Sequence, residues 1–300
     1  MTCIPLDHVG IYGPDRPLLG INQHGRHIIH DRRNPTAPHL QISGGTGGGK
    51  GGTLRPLLAH DLAAGNTVII LEPKPGEFGW TDGAATRVST LTGYDRALTW
   101  VVKQMAARQH ARTTHPNPRT GTQGVAHIND INPATPRIVV YIDEFASVGG
   151  IEAALDKAEK EIVERILKNT AKGVRLGRSE GIHFIVVTQR PTLDGTFATS
   201  GGVIQANLKG RIHFDRDAIS LQAAFGNGGG IPTHVLRQLE KGGAGRCVYN
   251  HLDPAQQGRP IAGQIWWLTD QQCRPFAEHY NGPEPMTFDP APTRTEVCTP

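Results

Sequence analysis

The sequence predicts an α/β chain: a mostly parallel central sheet with flanking helices on both faces. Three observations carry that prediction. Short apolar runs recur without polar alternation, as strands buried on both faces read. Longer stretches with apolar residues at helical spacing separate them, and this strand–helix alternation is the pattern of layered parallel sheets. One strand-like run, HLQIS, also passes through a glycine-rich loop straight into a helix-like run, TLRPLLAHDL.

Composition sets the frame. Three hundred residues, 37% hydrophobic and 19% charged, are enough to bury a full core. The 37 glycines and 22 prolines make the chain loop-rich without making it disordered overall. A formal net charge of +4 permits a nucleic-acid partner without requiring one. Cys3, Cys247, Cys273 and Cys298 are far apart and form no C-x-x-C pair, so they read as reduced thiols of a cytoplasmic chain. The fourteen histidines show no metal-ligand spacing with carboxylates. There is no secretory leader and no apolar run of about 18 residues. No membrane anchor is therefore expected.

Residues 1–16 read as irregular, 17–280 as one domain, and 281–300 as a disordered Pro-rich tail. Within the domain, 17–31 reads as two short strands around the turn Gln23-His24-Gly25. NTVIILEPK (66–74) is an apolar strand with Glu72 and Lys74 at its carboxyl end. ALTWVVKQMAARQHAR (97–112) is a helix with Leu98, Val101, Val102 and Met105 on one face. Residues 113–136 form a loop long enough to expect exposure or function. RIVVYIDEF (137–145) is a buried strand, residues 152–178 are a long amphipathic helix, and GIHFIVVTQRPT (181–192) is a third buried strand stopped by Pro191. Further strands are expected in 210–216, 245–250 and 263–268.

The loop between the first pair of elements is Gly44-Gly45-Thr46-Gly47-Gly48-Gly49-Lys50-Gly51-Gly52, with Gly44, Gly49 and Lys50 giving G-x-x-x-x-G-K. In that context it predicts a phosphate-binding loop. Glycines let successive backbone N–H groups converge on an anion, and the following helix N-terminus adds positive dipole. Lys50 supplies a point charge for the outer phosphates. A bare glycine linker has the same composition, but it needs neither the strand before nor the helix after. The usual closing letter of the loop is Ser or Thr, which helps hold magnesium. Here it is Gly51, so a water in that place and a looser metal are expected. Thr53 is no easy substitute, because two residues on it faces the other side of the helix.

Asp143 and Glu144 end a buried strand, at the edge where open α/β sheets place their chemistry. Asp143 is the natural hard-oxygen ligand for magnesium. Glu144 is placed to orient and deprotonate a water attacking a γ-phosphate. A strand that merely ends in two solvated acids is the competing reading, weakened by the phosphate loop upstream. Phosphate loop, acid strand and the polar-tipped strand ending Thr188-Gln189-Arg190 together fit the RecA-like ATPase core. In that core the Gln189 strand lies between those of Lys50 and Asp143.

Five collinear segments resemble the motor domain of the FtsK/SpoIIIE family of DNA translocases. PLLGINQHGRHIIHDRRNPTAPHLQISGGTGGGK is similar to its lead-in hairpin and phosphate loop. EPK resembles its D-P-K, ALTWVVKQMAARQ its A-L-x-W-x-V-x-E-M helix, and RIVVYIDEFASV its acid strand. GRSEGIHFIVVTQRPT, followed by IQANLKGRIHF, resembles its most diagnostic run. The likeness spans residues 17–250. It implies ATP and Mg2+ as cofactors, double-stranded DNA as partner, and a homo-oligomer, a hexameric ring, that hydrolyses ATP between subunits. It implies that the loop glycines and Lys50 bind phosphate, Asp143 binds the metal, Glu144 is the base and Gln189 senses the γ-phosphate. Arg178 would be the arginine finger acting on a neighbour, with Arg175 the fallback. Against the family, Gly51 removes a hydroxyl and Glu72 replaces an Asp. The chain after residue 250 is short for a further DNA-reading domain, so a minimal motor is expected. Two other readings remain: a nucleotide-binding ring or adaptor that hydrolyses poorly because of Gly51, and a coupling protein for single-stranded DNA. Lys157, Lys168, Lys172 and Arg175 are candidates for DNA contact.

Overall fold

A computed structural model describes residues 6–45, 47–118, 120–148, 155–189, 202–225, 231–240, 243–250 and 260–290. Its ten strands are β1 (Leu18–Asn22), β2 (His27–Ile29), β3 (Leu40–Ser43), β4 (Thr67–Leu71), β5 (Thr86–Val88), β6 (Ile138–Ile142), β7 (Ile182–Thr188), β8 (Gly210–His213), β9 (Arg246–Asn250) and β10 (Pro260–Ile265). They form one sheet, ordered β2-β1-β10-β9-β8-β3-β7-β6-β4-β5. The run from β8 to β5 is parallel, and the wing β2-β1-β10-β9 is antiparallel. The expected placement of the Gln189 strand holds: β7 lies between β3 and β6.

Helices cover both faces because the side chains of each parallel strand alternate. On one face Val68, Ile70, Val139, Tyr141, Ile185 and Val187 pack with Leu54, Leu57, Leu58 and Leu62 of α1 (Lys50–Ala63). On the other face, Ile69, Leu71, Val140, Ile142, Phe184 and Val186 meet two helices. These are α2 (Leu91–Thr114), through Leu98, Val101 and Met105, and α4 (Lys157–Leu176), through Ile166, Leu167 and Val174. A short helix, α3 (Phe145–Val148), follows β6. The long helix expected over 152–178 is described from its Asp156 N-cap, which accepts from Glu159 N while Glu159 reaches back to Asp156 N. Residues 152–154 lie outside the described residues.

A buried ion pair ties the first face together. Arg32 and Asp61, both fully buried, pair in a two-pronged contact, and Tyr141 and Asn66 also donate to Asp61. Burial alone would raise the Asp61 carboxyl, but the Arg32 charge and these hydrogen bonds hold it below its ordinary value. Around this pair, burial pushes His30 and His39 down to about 3 and His60 down to about 4. All three are therefore neutral in the folded chain, whereas the unfolded chain protonates them near pH 6.5. Their contribution to stability is complete above that pH and is lost as pH falls from 6.5 towards 4. Each costs about 1.4 kcal/mol per pH unit in that window. The urea midpoint, followed by circular dichroism, is expected to drop steeply between pH 7.5 and pH 5. A midpoint unchanged over that range would contradict the assignment.

Three boundaries differ from the sequence reading. The last strand begins at Pro260 and ends at Ile265, and Trp266 just beyond it still donates its backbone N–H to Leu19 O of β1 at 2.9 Å. A helix, Asp270–Glu278, follows and packs on α1, with Arg55 Nε donating to Asp270 at 2.6 Å. The Pro-rich segment, expected to be disordered from residue 281, is placed against the body as far as Pro290. Its Met286 and Phe288 seat on the second core, and Asp289 accepts from the backbone N–H and hydroxyl groups of Ser89 and Thr90. Two apolar anchors and a cap at the start of α2 outweigh the proline composition. Residues 291–300 lie outside the described residues. Residues 6–16 include one short helical turn, Leu6–His8, and Asp15 pairs at 2.6 Å with Arg137, the residue before β6.

Candidate nucleotide site

The parallel strands β3, β7 and β6 end side by side, so the segments after them share one edge of the sheet. Ser43 is level with Thr188, and Ile142 with Val186. A cleft of about 440 Å³ opens there. Gly47, Gly49, Lys50, Gly51 and Gly52 line one wall, and Asp143, Glu144 and Gln189 line another. Gly44, Gly45 and Gly48 complete the loop behind that wall, while Thr46 lies outside the described residues. So do Arg190 and Pro191.

The loop rests on an aromatic ring. Gly44 and Gly49 have φ of 143° and 120°, conformations that L side chains rarely adopt. A Cβ on Gly44 would lie 2.9 Å from Phe214 Cβ, and one on Gly49 would lie 3.2 Å from Phe214 Cε1. Asp215, the next residue, accepts from Gly45 N at 2.7 and 2.9 Å and ties the loop to the end of β8. Lys50 Nζ donates back to the Gly44 and Gly45 carbonyls, a position from which it can turn to an incoming phosphate. Burial lowers its pKa, partly offset by Glu144, Asp215 and Asp143.

Glu144 is the only described residue other than glycine with positive φ, at 59°. A left-handed conformation costs an ordinary residue roughly 1–2 kcal/mol and gathers where function fixes the backbone. Its Oε1 accepts from Gln189 N at 3.3 Å, which links the ends of β6 and β7. Asp143 is pushed up to about 7, by burial first and then by the charges of Glu77, Glu144 and Glu72, against a smaller opposing pull from Lys50. Carboxylates crowded so that ionisation is this unfavourable suit a hard cation. Among the described residues no three His, Cys, Asp or Glu side chains are grouped to hold a metal alone.

Arg178 is not in the cleft. It lies in a short turn, Arg178–Glu180, between α4 and the start of β7, at the opposite edge of the sheet. Lys157, Lys168, Lys172 and Arg175 are exposed on α4. Glu72 is buried and bonded to Arg87 at 2.5 Å, away from the cleft lining. Sequence reasoning missed Phe214, Asp215, Glu77 and the pair Trp266-Trp267, the last three of which border the cleft. FDR at 214–216 carries no motif of its own, although Asp215 follows the end of β8 on the edge where the cleft opens.

Fold and cleft together define a class, the P-loop ATPase fold. Within it, the chain belongs to the FtsK/SpoIIIE family, whose match runs over residues 16–193. It is 24% identical over 270 residues to the DNA translocase FtsK of Tropheryma whipplei, covering 81% of this chain and 32% of that protein. To the DNA translocase SpoIIIE of Bacillus subtilis it is 27% identical over 292 residues, 89% of this chain and 33% of that protein. The chain thus spans about a third of the length of these curated relatives. In fold it is similar to the pCW3 conjugation coupling protein TcpA, solved with ATPγS (TM-score 0.72, 21% identity, 92% of this chain and 74% of the other). It is also similar to the cytoplasmic domain of the type VII secretion ATPase EccC of Thermomonospora curvata (TM-score 0.65, 17% identity, 97% and 34%). Among the described residues, no helix is long and apolar enough to cross a membrane.

Proposed function

We propose that this chain is an ATP-driven motor that moves double-stranded DNA as a homo-oligomer, a hexameric ring in the cytoplasm. The observation that carries the reading is the meeting of Lys50, Asp143, Glu144 and Gln189 in one cleft, beyond the ends of three adjacent parallel strands. Lys50 and the loop amides bind the phosphates of ATP. Glu144 takes the proton of the water that attacks the γ-phosphorus as the bond to ADP breaks and ADP leaves, and Gln189 senses the γ-phosphate. Asp143 would hold Mg2+, and the ion would neutralise charge on the phosphates. Family membership supports DNA as the partner, because the relatives are named DNA translocases.

A ring that moves along DNA cannot depend on base sequence, so the contacts are to phosphates. ATP hydrolysis is expected to rise with linear duplex DNA of any sequence and much less with single strands. Binding is expected to weaken with salt, log K falling with log salt by about 0.9 per phosphate neutralised. Preferential activation by single strands would move the reading to a coupling protein. No activation by any DNA, with nucleotide still bound, would favour the hydrolysis-poor adaptor that Gly51 suggests.

A further inference from the structure

The loop lacks the hydroxyl that usually closes it, yet the space beside Gly51 is filled. A Cβ built on Gly51 would lie 2.5 Å from Glu77 Oε1 and 3.7 Å from its Cδ. A carboxylate oxygen thus stands beside the place that a serine or threonine hydroxyl at position 51 would enter. Glu77 belongs to the turn after β4, and its neighbour Phe78, 1% exposed in the first core, fixes that turn. Glu77, Gly51 and Asp143 border the same cleft. The other nearby candidates are committed elsewhere. Thr53 is buried and donates to Gly49 O at 3.0 Å, and Glu72 is bonded to Arg87.

We propose that Glu77 takes over the metal-holding place of the missing hydroxyl, so that magnesium in the nucleotide complex is held by Glu77 and Asp143 together. This rests on the cleft being a magnesium–nucleotide site. A carboxylate differs from a hydroxyl in one respect that can be measured. It attracts the cation more strongly, but its charge repels nucleotide phosphates when no cation lies between them. Glu77 therefore makes nucleotide binding depend on metal more steeply than a hydroxyl would. A side chain at position 51 would push this carboxylate aside, and a serine hydroxyl there would take its place rather than add to it.

The test uses Mn2+ in place of Mg2+, followed by electron paramagnetic resonance with a non-hydrolysable ATP analogue, and a fluorescent ATP analogue in EDTA. Glu77→Gln is expected to weaken Mn2+ binding about tenfold or more, while metal-free nucleotide binding stays equal or tightens. A merely structural role would weaken both. Gly51→Ser is expected to tighten Mn2+ less than twofold in the native background, but to restore most of the loss in Glu77→Ala. The proposal is overturned if Glu77→Gln keeps Mn2+ affinity within twofold, or if Gly51→Ser alone tightens it severalfold, which would mean the place was open. Failure of the unaltered chain to bind nucleotide at all would instead overturn the phosphate-loop reading beneath it.

Discussion

Arg178→Ala is expected to lower DNA-stimulated ATP hydrolysis by about a thousandfold or more, the scale on which arginine fingers act. Position carries the argument. Arg178 lies at the amino edge of the sheet and the cleft lies at the carboxyl edge, with the seven residues of β7 between them. At about 3.3 Å per residue that strand alone spans roughly 23 Å. The guanidinium cannot reach its own chain's cleft, so any catalytic role must be in a neighbour's. Mixing Arg178→Ala with Glu144→Gln subunits should then restore part of the activity, because some interfaces pair an intact finger with an intact base. Arg175, one turn earlier on α4 and exposed, is the control and should matter less. If mixing restores nothing while mass measurements still show assembled rings, Arg178 is not a finger acting across an interface.

Glu144→Gln is expected to abolish steady-state turnover, a loss of about 10² to 10⁴, while nucleotide still binds. The amide keeps the size of the side chain and can still accept from Gln189 N, but it cannot take a proton from water. Because Glu144 holds a left-handed backbone, the same substitution separates chemistry from strain: φ is unchanged and only the base is lost. Hydrolysis close to that of the unaltered chain would place the base elsewhere. Nucleotide release in the variant would show instead that Glu144 helps form the cleft.

The parallel half of the fold was legible because its signals are local. Apolar runs ending in Ser43, Asp143 and Gln189 each carried their polar tips in the residues just beyond the strand, and parallel pairing put those tips together. The wing and the carboxyl-terminal segment were harder. Trp266 and Trp267 continue an apolar run and so predict a strand through Leu268, whereas Pro260 marks the start of β10 and the strand ends at Ile265. The helix Asp270–Glu278 was overlooked behind its internal Pro275, although Thr269 and Gln272 form a capping box visible as T-x-x-Q. Met286, Phe288 and Asp289 sit among prolines, and composition hides single anchors. Glu77 could not be read at all. Its closeness to Gly51 arises from a turn and a helix start 26 positions apart, brought together only by the folded sheet.

Movement along duplex DNA is the central claim, and displacement of a labelled third strand from a triplex on linear duplex measures it most directly. With ATP and Mg2+ the chain is expected to strip the third strand at a rate that tracks its hydrolysis, and Glu144→Gln is expected to strip none. Hydrolysis stimulated by duplex DNA with the triplex left intact would contradict the claim, leaving an ATPase that senses DNA without moving along it.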